Sequence, residues 1–430
     1  MSSSIQEKHD VPVGKDQREP LYKPSLIWLG FAVSFMSFWV GGEIEAALGM
    51  PNALFAILAG SGCLVIFSGF IAVIAARTGF SFPMMVKATF GVKGAWIPIL
   101  ITALIVNGWF AYQPWLMADL ISVLWGGNTI IWGFLFGILF LLSALSYRFM
   151  VYLRYIAIPA ILIMALYLIF AIIVPAGESA WISTPQDAQP FSLGISIALG
   201  LFVVSGTMTG DIVRYAKNSY HAIIVTCIAF FVGNSGALSL GALASAAAPT
   251  IDSYFGMTAI AAGIPLVIAV CLSNWSTSDS CLYNATMGYA NLSSKIKWKH
   301  AVIFGGVLGS VIAATGVISN LQGWMNLLGI IVPPIGAVII AEYFIVQRSE
   351  QEYNSKRAGF NAYALSSALT GSIISYFTLI TFPAVPNAVI GIIAAFSIYS
   401  VLGKLFLQKR AATGVFAEQH AATTEGAKQK

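Results

Sequence analysis

Apolar residues run along this chain in long blocks separated by short polar stretches. A bilayer core of about 30 Å needs roughly 20 apolar residues per helix. Blocks of that kind occupy 25–48, 52–76, 95–122, 129–147, 152–174, 190–216, 221–247, 257–291, 301–319, 322–344, 359–379 and 383–406. The pattern predicts an all-α polytopic membrane protein of about twelve transmembrane helices. The first, third, sixth and eighth blocks exceed the minimum, which predicts tilt or a break in each.

Two of the long blocks carry clustered small and hydroxyl residues. Block 1 contains Ser34-Phe35-Met36-Ser37-Phe38-Trp39-Val40-Gly41-Gly42, and block 6 contains Val204-Ser205-Gly206-Thr207-Met208-Thr209-Gly210. Read singly, each is equally a helix-packing face of small residues. Their positions five helices apart also match the paired interruptions that mark a midplane site in an inverted-repeat carrier. Irregular backbone at that depth is tolerated only where it is buried or lines a cavity.

The loops orient the helices. With the N-terminus in the cytosol, all 22 Lys and Arg residues fall in inside segments, from Lys8, Lys15, Arg18 and Lys23 to Lys404, Lys409, Arg410, Lys428 and Lys430. None lies in an outside loop, as the positive-inside rule requires. Both termini are predicted to be cytoplasmic, in an inner (plasma) membrane. Residues 1–24 are polar, contain no apolar core of a signal peptide and read as a disordered cytosolic tail, as do residues 407–430.

Composition supports the same reading. Hydrophobic residues make up 58% of the 430 and charged residues 9%, against about 25% charged in soluble domains. Lipid must be the solvent for most of the surface. The net charge of +5 resides in loops and tails and does not indicate nucleic-acid binding. Cys63, Cys227, Cys271 and Cys281 all fall in apolar blocks and read as small core residues, not as disulfides or metal ligands. No nucleophile–base pair, metal cluster or nucleotide loop occurs at membrane depth, so an enzyme is not expected.

Polar residues within the blocks need a reason, because charge at the bilayer centre costs about 2.5–3.5 kcal/mol on insertion scales. Asp211 stands three residues before Arg214, a spacing that allows an ion pair on one helix face. Asp119 and Glu342 lie near block ends, within reach of the interface, while Glu43 and Glu45 fall where they could rim an outer vestibule or attract cations. Block 8 contains Ser273-Asn274-Trp275-Ser276-Thr277-Ser278-Asp279-Ser280, in which Ser273, Ser276 and Thr277 share a face by i, i+3, i+4 spacing. Hydroxyls and a free carbonyl there suit a hard monovalent cation; the alternative is Ser and Thr bonding back to their own helix. Block 3 contains Asn107-Gly108-Trp109-Phe110-Ala111-Tyr112-Gln113, with Trp109 far from the interfacial belt where Trp concentrates. Trp109 and Phe202 could form two walls for a flat ring or be ordinary packing. The histidines, at tails or helix ends, do not suggest a buried proton relay.

Taken together, these segments resemble the nucleobase:cation symporter-1 family, and within it the bacterial cytosine permeases. The likeness rests on Ala76-Arg77-Thr78-Gly79-Phe80, Thr89-Phe90-Gly91-Val92-Lys93-Gly94-Ala95-Trp96, Ser205 to Tyr215, Phe230-Phe231-Val232-Gly233-Asn234-Ser235, Trp275 to Asp279, and Ile331 to Tyr343. The resemblance implies a leucine-transporter-type fold, with a 5+5 inverted repeat and two extra helices. Repeat one would cover about 25–174, repeat two about 190–344 and the extra helices about 359–406, within a transporter domain of 25–406. It implies Na⁺-driven uptake of cytosine or a related nucleobase by alternating access, with no other cofactor. The base would stack between Trp109 and Phe202, with further contacts from Ser34, Phe35, Ser205, Asn107 and Asn274. Sodium would be held by the hydroxyls of Ser276 and Thr277, the carbonyl of Ser273 and helix 1 carbonyls near Gly30 and Val33, and the stretch Gly323 to Leu328 would gate the site. Two departures bear on the substrate: Val106 stands where those permeases carry a Gln, and Ser273 where they carry an Asn. A purine, a modified pyrimidine or proton coupling therefore stays open, as does a passive facilitator.

Overall fold

The computed structural model describes residues 11–185, 188–248, 264–293, 295–316, 320–347, 353 and 359–412. Apart from one isolated bridge between Glu19 and Ala216, the described residues are helical or in loops. Lipid cannot hydrogen-bond a backbone, so each crossing segment must satisfy its own N–H and C=O groups. In chain order the helices are α1 (Tyr22–Ala32), α2 (Phe35–Leu48), α3 (Asn52–Thr78), α4 (Phe82–Phe90), α5 (Trp96–Trp125), α6 (Thr129–Ala144) and α7 (Tyr147–Tyr167). Then follow α8 (Phe191–Thr207), α9 (Gly210–Val213), α10 (Ser219–Ala247), α11 (Ile264–Leu292), α12 (Trp298–Thr315), α13 (Leu321–Val346), α14 (Ala362–Thr381) and α15 (Asn387–Ala412).

Among the described residues, eight helices are long and apolar enough to cross a membrane, and the bent pair α1–α2 makes a ninth. The helices α6 and α8 are apolar but shorter, and α11 carries the polar run that lowers its hydropathy. Each expected block overlaps one of these helices or helix pairs; residues 257–263 of the eighth and 317–319 of the ninth lie outside the described residues. Both expected interruptions are present, and narrower than the small-residue clusters. Span 1 bends by 53° at Val33–Ser34. Span 6 is interrupted at Met208–Thr209, between α8 and α9.

Packing brings the broken helices inside. The C-terminal half of α10 crosses α2, α3 packs on α8, α5 on α11, α6 on α12, and α8 on α13. At the α2–α10 crossing the backbones touch. A Cβ on Gly41 would lie 1.9 Å from the Leu238 carbonyl oxygen, and one on Gly241 would lie 1.8 Å from that of Phe38. The helices α14 and α15 pack on each other and on α13.

Three expectations need correction. The N-terminal segment is not a loose tail from residue 11 onward. Val13 N–H donates to the Gly79 carbonyl (3.0 Å), and Glu19 N–H to the Tyr215 carbonyl (2.7 Å). Arg18 Nη1 donates to the carbonyls of Ala76 (2.8 Å) and Ala216 (2.9 Å). Burial there pushes the Arg18 guanidinium below its ordinary pKa. The strap closes over Gly79, where a left-handed φ of 73° ends α3 and a side chain would strike Val13. Second, the loop after span 2 contains a short, mostly buried helix, α4, with a proline in its first turn. Asp211 accepts the Phe82 N–H (2.8 Å) at the start of α4 and also keeps the electrostatic interaction with Arg214 that the spacing allows, while Arg214 lies over the Tyr215 ring at 5.1 Å. Third, Glu342 does not reach the interface. It is fully buried and accepts hydrogen bonds from Tyr399 (2.6 Å) and Gln347. At the other end of the chain, α15 runs to Ala412, past the expected start of the tail.

Candidate functional site

The break in span 1 is where the backbone stops satisfying itself. Val33 and Ser34 are extended (φ −95°, ψ 99° and φ −133°, ψ 163°), which leaves helix ends at membrane depth. Ser34 is buried and makes no capping bond with its side chain. The partner comes from another helix: Phe35 N–H donates to Ser273 Oγ of α11 at 3.1 Å. On the other side of the break, Ser37 Oγ donates to the Ala32 carbonyl (3.1 Å). Thus the broken span and the polar face of α11 are joined directly.

The hydroxyls of that face are arranged along the helix. Thr277 Oγ1 donates to the Ser273 carbonyl (2.9 Å), and Ser280 Oγ donates to the Ser276 carbonyl (2.9 Å). In this arrangement the back-bonding alternative holds for Thr277. Its hydroxyl and the Ser273 carbonyl, two of the expected cation ligands, lie side by side. Ser276 and Thr277 are half-buried. Val33 is half-buried at the break, and Gly30, almost one turn earlier on α1, has open space where a side chain would stand. No group of three or more His, Cys, Asp or Glu able to hold a metal occurs among the described residues. Hydroxyl and carbonyl oxygens are the donor set available here, and they suit a hard monovalent ion better than a transition metal.

Aromatic walls flank the break. Trp109 is buried on α5 and meets the Trp324 ring of α13 edge-on, with centroids 6.2 Å apart and planes at 84°. Gly108 makes this possible, because a Cβ there would lie 2.3 Å from the Trp324 ring. Tyr112 touches both Trp109 and Trp39 of α2, each at 5.9 Å. Phe202, buried on α8, meets Phe31 of α1 (5.8 Å, 74°) and Phe230 of α10 (5.8 Å). The two groups are bridged by α13: Trp324 lies on Gly108, and the backbone oxygen of the next residue, Met325, faces Gly200 on α8. Ser205, one turn after Leu201, is half-buried, and its carbonyl accepts from Thr209 Oγ1 (3.1 Å).

The two amides expected at the base are placed differently from one another. Asn107 sits about 200° around α5 from Trp109, at about 100° per residue, and packs against Gly305 and Gly309 of α12. Asn274 donates to the Met117 sulfur of α5 (3.6 Å). Asn107 thus turns away from the Trp109 wall, while Met117, at i+8 from Trp109, keeps Asn274 on the Trp109 side of α5. Two further residues stand at the wall: Trp324, within the stretch expected to gate the site, whose indole Nε1 is buried with no partner among the described residues, and Gln113, to which the sequence assigned no role and whose amide oxygen is likewise unpartnered. Gln113 stands at i+4 from Trp109, which puts the two on one helix face; that spacing was the available signal. The gate stretch Gly323 to Leu328 contains Trp324, but nothing in its own helix points to its partner Gly108 on α5. The outer carboxylates also separate. Glu43 accepts from the Trp39 indole (3.1 Å). Glu45 is buried and held by the hydroxyls of Ser183 and Ser245 (2.7 Å), so it is not an exposed vestibule charge.

A discontinuous helix whose exposed backbone is held by a second span, between buried aromatic walls, defines a polytopic membrane permease core. The chain belongs to the family of permeases for cytosine/purines, uracil, thiamine and allantoin, whose family model matches residues 12–393. It is 30% identical to the cytosine permease of Escherichia coli (strain K12) over 354 residues, covering 80% of this chain and 83% of that protein. It is 26% identical to the hydantoin permease of Microbacterium maritypicum, covering 75% and 72% respectively. Among solved structures it resembles the nucleobase-cation-symport-1 transporter Mhp1. The TM-score is 0.77 against the closed form with bromovinylhydantoin bound, at 22% identity and 93% and 95% coverage. Against the inward-facing form it is 0.80 at 21% identity, with 93% of each chain covered. At that identity the likeness establishes the shared leucine-transporter-type fold.

Proposed function

We propose that this permease imports cytosine or a closely related nucleobase together with Na⁺ by alternating access. The observation that carries this reading is the hydrogen bond from Phe35 N–H to Ser273 Oγ. It couples the conformation of the span 1 break to the α11 face on which Ser276 and Thr277 stand. An ion held by their hydroxyls, the Ser273 carbonyl and carbonyls near Gly30 and Val33 favours one geometry of the break. That geometry sets where Ser34, Phe35 and the Trp109 wall stand for the base, while Phe202 and Ser205 approach from α8. Binding of ion and base is then linked, because each favours the same arrangement. Trp324 covers Trp109 and must move for the base to enter or leave on its side.

Helix pairing supports a two-repeat reading of about 25–174 and 190–344. Exchanging each span for its counterpart five places away in the other repeat turns the span 1–span 7 contact into the span 6–span 2 contact, and both are present. The polar groups identified at the Trp109 wall are few. Val106 is apolar and buried, so the Gln113 amide is the nearest candidate to read a ring edge on α5.

The test is thermal unfolding of purified protein with cytosine, uracil, hypoxanthine and hydantoin, in NaCl and in choline chloride. Cytosine should stabilise the protein, and more so in sodium. Equal stabilisation in choline would overturn the sodium coupling, and no stabilisation by any of these rings would overturn the substrate class.

A further inference from the structure

At one end of α5, α11 and α12 a cavity of about 350 Å³ opens between the helices, lined by Leu100, Tyr289, Leu292, Ile296, Ala301 and Phe304, with His300 at its edge. The lining is almost wholly hydrocarbon. Phe304 is 56% exposed, so the groove opens sideways toward lipid. Its depth can be read from the helix ends. Trp96 begins α5 and Trp298 begins α12, both at the level where Trp anchors a helix in the headgroup region. Leu100 lies one turn beyond Trp96. Tyr289 lies three residues before the end of α11, about 4.5 Å at 1.5 Å per residue. The groove therefore starts at the glycerol-ester boundary and runs into the hydrocarbon. In a bilayer the occupant of such a groove is an acyl chain.

Two further features select the kind of lipid. Lys295, Lys297, Lys299 and His300 are all exposed between the last turn of α11 and the first turn of α12, and no acidic residue occurs between Asp279 and Glu342. The loop at the groove mouth thus carries positive charge at headgroup level with no acidic residue of its own. Inside it, Tyr289 is 3% exposed and its hydroxyl has no hydrogen-bond partner among the described residues. A buried hydroxyl left unpaired is costly, and a phosphate or ester oxygen at this depth is the acceptor a lipid supplies. We propose that this groove is a binding site for an anionic glycerophospholipid. One acyl chain fills the cleft, an ester or phosphate oxygen accepts from Tyr289, and the headgroup charge faces the three lysines. The site rests on the membrane fold and the charge of this loop, and is independent of the transported base.

The test uses full-length, delipidated protein returned to phosphatidylcholine nanodiscs with or without phosphatidylglycerol. Phosphatidylglycerol should raise the unfolding temperature above that in phosphatidylcholine alone. A combined Lys295→Gln, Lys297→Gln and Lys299→Gln variant should bind phosphatidylglycerol about tenfold or more weaker, the scale expected of several surface lysines. Equal stability in the two membranes, or an undiminished preference in the variant, overturns the site. A photo-crosslinkable phosphatidylglycerol reads the same question without a variant. Labelling of the 289–304 stretch or of α5 around Leu100 supports the site, and labelling confined to other segments overturns it.

Discussion

Trp109 sits in a membrane helix yet is buried among Tyr112, Trp324 and Gly108 rather than facing lipid. An indole so placed offers a flat face that a planar base can stack on. Trp109→Ala should weaken base binding by about 10- to 100-fold, the value of one stacked ring, measured as the concentration of cytosine needed for half-maximal stabilisation. Thr277 makes the complementary case. Its hydroxyl rests on the Ser273 carbonyl, so Thr277→Ala leaves the helix intact and removes one oxygen from the proposed ion site. The expected result is a roughly tenfold rise in the sodium concentration that half-saturates uptake, the scale of one lost polar contact. An unchanged sodium response would remove Thr277 from the site. At this scale the sequence was legible for groups whose own helix announces them, such as the Trp109 run and the Ser273–Thr277 face. It did not show that Asn107 packs on α12, because each step along a helix turns a side chain by about 100° and aims it at a different neighbour.

The same contrast holds for elements. The interruptions in spans 1 and 6 were visible as clusters of small and hydroxyl residues, but part of the span 1 cluster belongs to packing. Gly41 is not in the break; it lies where α2 crosses α10, with Gly241 opposite. Gly41→Ala or Gly241→Ala forces the backbones apart and should destabilise the protein by about 1–3 kcal/mol, as overpacking does, seen as a lowered unfolding temperature. The helix α4 escaped notice because nine residues with a proline read as loop. Its first turn is held from outside by Asp211, a contact no local pattern contains. The docked N-terminal segment is a similar case. Arg18→Ala removes two bonds to backbone oxygens, each worth about 1.5–3 kcal/mol when the donor is charged. The amides of Val13 and Glu19, bonded to Gly79 and Tyr215, should then lose protection in hydrogen exchange. Retained protection would show that backbone contacts alone hold the strap.

For the whole molecule, the Lys and Arg pattern assigns each loop a side. Cysteines introduced one at a time into a chain whose four native cysteines are replaced test it. Lys299→Cys should react with a membrane-impermeant reagent only in inside-out vesicles, and Thr184→Cys only in right-side-out cells. Reaction from the same side for both would break the alternation and with it the span count.

The sequence by itself determined that lipid is the solvent, roughly where the membrane-spanning helices lie, which loops carry the positive charge and which spans are interrupted. These properties depend on transfer of a segment out of water or on local backbone chemistry, and both are written in residues adjacent along the chain. The tertiary structure decided what no segment contains alone: that Ser273 receives the broken end of span 1, that Trp324 closes on Trp109 across a glycine, and that Asn107 faces α12. Each pairs residues far apart in sequence, and their meeting is set by how the helices rotate and cross when they pack.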